Sequence, residues 1–180
     1  MGTLDHLWAP WRQAYLSKAR RPKAGCVLCQ VLRSRNDRRS YLLYRGPTTF
    51  VIFNRYPYNN GHLMVAVNRH CGELSRLAHE ELTELWQTTT RMVTILERLL
   101  RPHGVNVGLN IGRAAGAGLP DHLHVHIVPR WVGDTNFITT ASGMRVVSAS
   151  MDALYRRLKP LMPTNAPARP VRRGAGGNHR

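Results

Sequence analysis

The sequence predicts an α+β domain: an antiparallel sheet of roughly five strands with one long helix packed on it. Three observations predict this. Short β-branched and aromatic runs, separated by turn residues, recur before and after the middle of the chain. Between them, one segment changes its apolar spacing from every second residue to every third or fourth. A last run, "HLHVHIVPRW" at 122–131, then alternates again with a period of two.

The elements follow in order. Residues 1–25 read as irregular, punctuated by Pro10 and Pro22, with Trp8 and Trp11 in need of burial. "YLLY" and "TTFVIFN" have strand composition and the "RGP" between them is a turn, so 41–54 is a candidate hairpin. "RYPYNNG" is a turn-rich loop, and "HLMVAV" adds a third strand to the meander. Apolar residues then fall at Leu82, Leu85, Trp86, Met92, Val93, Leu96, Leu99 and Leu100, the steps of an amphipathic helix, with Trp86 and Met92 assigned to its core face. Pro102 and Gly104 in "RPHG" end it. "VNVGLNIG" alternates as a fourth strand, "RAAGAGLPD" is a flexible loop, and "HLHVHIVPRW" is the last strand. One catalytic domain is expected over 1–162, with 1–40 as an N-terminal extension. The Pro-, Ala-, Gly- and Arg-rich stretch 163–180 is expected to be a disordered basic tail.

A chain of 180 residues, 43% of them hydrophobic, can bury one full core but not two. It has no run of about 18 apolar residues, which argues against a transmembrane helix. "MGTLDHLWAPWRQAY" lacks the order of a signal peptide, so a cytoplasmic location is expected. The net charge of +16 gathers at Lys18–Lys23, Arg33–Arg39 and in the tail at Arg169, Arg172 and Arg173. Such a field attracts polyanions, polyphosphates as well as RNA or DNA, although a solvated basic surface is the plainer reading. An odd number of cysteines without a secretion signal argues against a disulfide framework. Cys26 and Cys29 in "CVLC" have the spacing of a metal knuckle.

His122, His124 and His126 occupy alternate positions of a strand, so they share one face while Leu123, Val125 and Ile127 point to the core. The three rings span roughly 13 Å at about 3.3 Å per residue, so they line one cleft without meeting at one atom. Three readings compete: a metal site, a phosphoryl- or nucleotidyl-transfer site with an imidazole nucleophile, and a decorated surface strand. The loop just upstream favours anion chemistry. Asn110 offers an amide, and Gly112, Gly116 and Gly118 let backbone N–H groups approach phosphate.

"HLHVHIV" resembles the signature of the histidine triad family. "FNRYPYNNGHLMV", "RPHGVNVGLNIG" and "HLHVHIVPRWVGDTNFIT" resemble its branch of bacterial diadenosine tetraphosphate phosphorylases and dinucleoside polyphosphate hydrolases, and the likeness spans residues 7–160. The resemblance implies that His124 is the nucleophile, attacking the α-phosphorus to give a nucleotidyl-histidine. It implies that His126 donates to phosphate oxygens and that His62 supports these hydrogen bonds. It puts Asn54 at the ribose, Asn110 at phosphate, and Trp131 near the nucleotide. Relatives often carry Ser or Thr in the loop where this chain has "GRAAGAG", so backbone N–H groups or Arg113 would take over a phosphate contact. The resemblance further implies a homodimer made by joining sheets.

Some family members, and the related galactose-1-phosphate uridylyltransferases, hold zinc through two cysteines, a histidine and the first triad histidine. Here these would be Cys26, Cys29, His70 and His122, a structural zinc that the chemical step does not need. The expected reaction is phosphorolysis of diadenosine tetraphosphate by inorganic phosphate, giving ADP and ATP. One alternative is hydrolysis releasing AMP from dinucleoside polyphosphates or small adenylylated compounds. Another, from a different class, is a zinc-containing basic module that binds nucleic acid without turnover.

Overall fold

The computed structural model describes residues 25–134 and 150–163. The expectations for Trp8, Trp11, the Lys18–Lys23 run and the tail beyond Pro163 lie outside the described residues.

Two short helices, α1 (Val27–Arg33) and α2 (Asp37–Ser40), lead into a hairpin of β1 (Leu42–Arg45) and β2 (Thr49–Phe53), followed by β3 (Leu63–Val67). The long helix α3 (His79–Leu100) crosses the sheet to β4 (Gly104–Leu109), β5 (His124–Arg130) follows, and α4 (Met151–Leu158) closes the described chain. All pairings are antiparallel and the strand order is β1-β2-β3-β5-β4. The five strands and the helix between the third and fourth are those the sequence predicts.

β2 and β3 are buried along their whole length because both faces of the sheet are covered. On one face Val51, Phe53, Leu63, Val65, Val67, Leu123, Val125 and Ile127 pack against Leu85, Met92 and Leu96 of α3. On the other, Phe50, Ile52, Met64 and Ala66 form a smaller cluster with Leu42 and with Leu28 of α1. The knuckle helix thus shields one half of this second face, and the histidines of β5 occupy the other.

α3 begins before its apolar stripe. Glu80 and Glu81 fill the first turn, where carboxylates suit the helix dipole, and the Glu81 carboxylate accepts the Ala78 N–H at 2.9 Å. Apolar spacing is silent about such a polar turn. Met92 is fully buried as expected, but Trp86 is 42% exposed and does not belong to the core. At about 100° per residue, Trp86 lies with Leu82 and Val93 on one flank of α3. Glu84, on the opposite flank, accepts hydrogen bonds from Thr48 and Thr49 at the β1–β2 turn. Trp86 therefore lies on the flank of α3 away from the β1–β2 turn, and that flank is exposed at this position.

The sheet's two edges differ. At β1, the Tyr155 hydroxyl donates to the Leu42 carbonyl at 3.1 Å and Lys159 Nζ to the Leu43 carbonyl at 2.8 Å, so the α4 segment covers that edge. At β4, by contrast, Asn106, Val107 and Gly108 are exposed. Neither α4 nor the short helices α1 and α2 was anticipated. Their cycles are too few for a periodicity to stand out.

Candidate active site and metal cluster

β5 sets the histidines. His124 pairs with Ala66, and His126 sits between Met64 of β3 and Gly108 of β4, so both rings open on the face away from α3. His122 lies just before the strand, in a bend, rather than within it. Its backbone carbonyl turns onto its neighbour: His124 Nδ1 donates to His122 O at 2.8 Å. In the neutral ring the proton is thereby fixed on Nδ1, and Nε2 keeps its lone pair. Burial lowers the His124 pKa, opposed by the bond to the His122 carbonyl, so the ring is neutral near pH 7.

His126 is also held neutral, by burial first and the neighbouring His124 second, with its pKa lowered to about 4. Its Nδ1 lies 3.0 Å from Nε2 of the buried His62. His62 Nδ1 in turn accepts the Tyr58 N–H at 3.0 Å. The "NNG" turn delivers His62 through Gly61 at φ 76°, where a Cβ would stand 2.6 Å from Leu100 Cδ1, so only glycine fits. Asn54 accepts the Tyr56 N–H at 2.9 Å and sets its amide 3.4 Å from both ring nitrogens of His62. It therefore borders His62, which in turn meets His126.

The other predicted residues lie on and after β4 and at the end of β5. Leu109 pairs with Val125, which puts Asn110 at the next register position, opposite His124 and on its face. Gly112 and Gly116 take left-handed φ of 79° and 84°. The Gly116 N–H is already committed to the Arg113 carbonyl at 3.0 Å, and Gly112 and Gly118 are exposed. Trp131 is half-buried, and its N–H donates to Asp134 at 3.0 Å. Asp134 also binds Arg130 through both carboxylate oxygens and accepts from Asn59 at 2.7 Å, tying the Trp131 turn to the loop before His62. Sequence reading passed over Tyr58 and Asp134. Asp134 stands four positions after Arg130, and that spacing of opposite charges was the signal for the second. The first had none, because its role is played by a backbone N–H and a ring in a loop.

The ligand atoms of Cys26, Cys29, His70 and His122 all lie within 4.8 Å of one another. His122 Nδ1 is 3.3 Å from Cys26 Sγ, 3.4 Å from Cys29 Sγ and 3.4 Å from His70 Nδ1, and His70 Nδ1 is 3.5 Å from Cys29 Sγ. A tetrahedron with metal–sulfur bonds of about 2.3 Å and metal–nitrogen bonds of about 2.05 Å has edges of roughly 3.3–3.8 Å, so these four donor pairs already stand at coordination spacing, and the two remaining pairs lie within 4.8 Å. His122 Nε2 lies 2.7 Å from the Val67 carbonyl, to which it donates when its other nitrogen is a ligand. Around the cluster, Arg69 grips Glu81 with two hydrogen bonds of 3.0 and 2.7 Å, tying the His70 segment to the start of α3. At Gly72 a Cβ would collide with the Pro120 carbonyl and Asp121, and the Cys71 carbonyl accepts the Leu123 N–H at 2.7 Å. His122 is common to both sites: its ring faces the cysteines and its carbonyl holds the nucleophile candidate.

An antiparallel sheet with alternate histidines on its inner β5 strand, one ring tethered to a backbone carbonyl, is the arrangement of the histidine triad proteins. The chain belongs to that family: the HIT domain matches residues 35–132. It is 41% identical over 150 residues to an AP-4-A phosphorylase of Mycobacterium tuberculosis, covering 80% of this chain and 77% of that one. It is 32% identical over 95 residues to a bis(5'-nucleosyl)-tetraphosphatase [asymmetrical] of Schizosaccharomyces pombe, covering 53% of this chain and 52% of that one. Among solved structures, a zinc-bound histidine triad family protein from Mycobacterium smegmatis shares the fold with a TM-score of 0.62 at 23% identity, over 76% of this chain and 91% of that one. Cys26 and Cys29 precede the matched HIT domain.

Proposed function

We propose that the protein is a nucleotidyl-transferring enzyme that cleaves diadenosine tetraphosphate by phosphorolysis, giving ADP and ATP. The single observation that carries this reading is the hydrogen bond from His124 Nδ1 to the His122 carbonyl, which leaves Nε2 as an unprotonated nucleophile. Nε2 attacks the α-phosphorus, the P–O bond to the bridging oxygen breaks, and ATP leaves with the electron pair. The positive charge on the adenylylated ring is shared through Nδ1–H with the carbonyl. Phosphate then attacks the same phosphorus, the N–P bond breaks, ADP leaves, and His124 returns to its neutral form. His126 stabilises the charge on the phosphate oxygens in both steps, with His62 behind it. Asn54 is assigned to the ribose, Asn110 and the backbone N–H groups of the Gly112–Gly118 loop to phosphate, and Trp131 to the nucleotide.

Phosphate is preferred as acceptor because the likeness to the phosphorylase runs over most of both chains. The tetraphosphatase relative supports a second reading, in which water resolves the adduct and AMP appears instead. A nucleic-acid module without turnover fits less well, since it gives no reason to bury His124 and tether its ring. Incubation with diadenosine tetraphosphate, with and without phosphate, separates these. ADP and ATP formed only with phosphate support the phosphorylase, AMP and ATP in both tubes make it a hydrolase, and absence of turnover in this assay and with small adenylylated compounds removes the enzymatic reading. His124→Asn should abolish turnover, by on the order of a thousandfold or more, with the fold retained.

The sulfur–nitrogen donor set of Cys26, Cys29, His70 and His122 suits zinc, with no open position for a reactant. When bound, the metal would staple the knuckle to the sheet. No helix among the described residues is long and apolar enough to cross a membrane, and a cytoplasmic location remains the working assignment. We assign the exposed β4 edge, with Val107 and Trp86 beside it, to a homodimer that continues the sheet. The basic tail is assigned to weak polyanion contact.

A further inference from the structure

Tyr58 lies in the loop between β2 and β3 and has no part in the mechanism above. Three observations meet on it. Its backbone N–H donates to His62 Nδ1 at 3.0 Å. Its ring lies 4.6 Å from the His62 ring and 5.7 Å from that of His126, tilted by 44° and 33°. Its side stands at the cleft mouth, with 43% of the residue exposed.

The first observation fixes a direction. A nitrogen that accepts a backbone N–H carries no proton of its own, so the neutral His62 ring bears its proton on Nε2. That N–H then donates across 3.0 Å to His126 Nδ1, which leaves the His126 proton on Nε2, the nitrogen turned away from His62. The chain of donors runs one way, from the Tyr58 amide through His62 to the outer nitrogen of His126. The Tyr58 ring lies against both imidazoles.

We propose that Tyr58 is the positioning residue that sets the proton direction of the His62–His126 pair, so that His126 offers an N–H donor rather than a lone pair to an anionic ligand. That the ligand is a polyphosphate rests on the functional reading above. The direction of the donors does not. The titratable groups facing His126 among the described residues are His62 and Tyr58 from the loop and His124 from its own strand. Its strand neighbours Met64 and Gly108 carry no charge.

The test is side-chain 15N NMR of the full-length, metal-loaded protein without substrate, followed by turnover of diadenosine tetraphosphate. The expected result in the parent protein is a single His126 tautomer with the proton on Nε2, persisting well below the pH at which a free imidazole titrates. Tyr58→Phe should keep this signature. Tyr58→Pro, and an ester in place of the Pro57–Tyr58 amide as the variant that preserves the side chain, both remove this backbone N–H and should give mixed tautomers and move the His126 titration upward. They should also lower kcat by about tenfold, with a smaller change in KM, and shift the acid limb of activity upward. A parent protein with the proton on His126 Nδ1 would overturn the inference, and so would an unchanged tautomer and acid limb in the ester variant. A correct tautomer in a protein that turns over no dinucleotide would sink the functional reading and leave the role of Tyr58 standing.

Discussion

At the residue scale, the site depends on rings kept neutral by burial. Both His124 and His126 have their pKa values lowered in the folded state, with burial the larger cause. An unfolded histidine binds a proton near pH 6.5, whereas folded His126 resists until about 4. Across that window the unfolded chain carries more protons, so stability is full above the unfolded pKa and falls as the solution is acidified. Melting curves should show the loss on going from pH 7.5 to 5, with His126 contributing at most about 2 kcal/mol. His126→Asn should flatten this dependence. An unchanged slope in that variant would assign the effect to other groups. Turnover should likewise persist below the pH at which a free imidazole loses its lone pair, because His124 Nε2 remains unprotonated there.

At the scale of elements, the knuckle, the segment after β3 and the start of β5 converge on one cluster. Their order depends on each other, since Cys26 and Cys29 are far in sequence from His70 and His122. Cys29→Ser should reduce the bound zinc measured by mass spectrometry and lower the melting temperature. Arg69→Ala should weaken metal retention more mildly, because it frees the His70 segment from Glu81 without touching a ligand. The Glu81 carboxyl is held below its usual pKa chiefly by its hydrogen bonds to Arg69. That contribution is present at neutral pH and disappears as acid protonates the carboxylate, so Arg69→Ala and the parent should converge in stability at low pH. Equal zinc content in Arg69→Ala and the parent under chelator challenge would show that the ion pair does not support the cluster.

For the whole molecule, the contrast between the edges matters most. Tyr155 and Lys159 satisfy carbonyls of β1, whereas β4 presents exposed backbone and Val107, with Trp86 on the adjoining helix flank. Light scattering should find a dimer, and Val107→Glu combined with Trp86→Glu should shift it to monomer while the metal cluster stays intact. A dimer unaffected by both changes would place the interface elsewhere. Removal of residues 163–180 should leave turnover unchanged and reduce salt-sensitive binding to a polyanion such as heparin. Lost turnover in that truncation would refute the assignment of the tail.

The five strands, the long helix and the shared face of His124 and His126 were legible in the sequence, and its family resemblance named the four residues that the fold gathers into a candidate metal site. These rest on periodicity and on short motifs, signals that survive in one dimension because a strand alternates and a helix repeats. The tertiary structure decided what depends on distant contacts. The carbonyl that holds His124 is that of His122, and only the bend before β5 turns it inward. Trp86 shares the apolar spacing of α3, yet the fold leaves it exposed. Tyr58 acts through a backbone N–H, for which the sequence has no letter. Cys26 and Cys29 announced a knuckle, but their meeting with His70 and His122 required α1 to fold onto the second face of the sheet. Burial, the direction of a carbonyl and the closure of a four-residue cluster are properties of packing, and packing is settled only once the chain is folded.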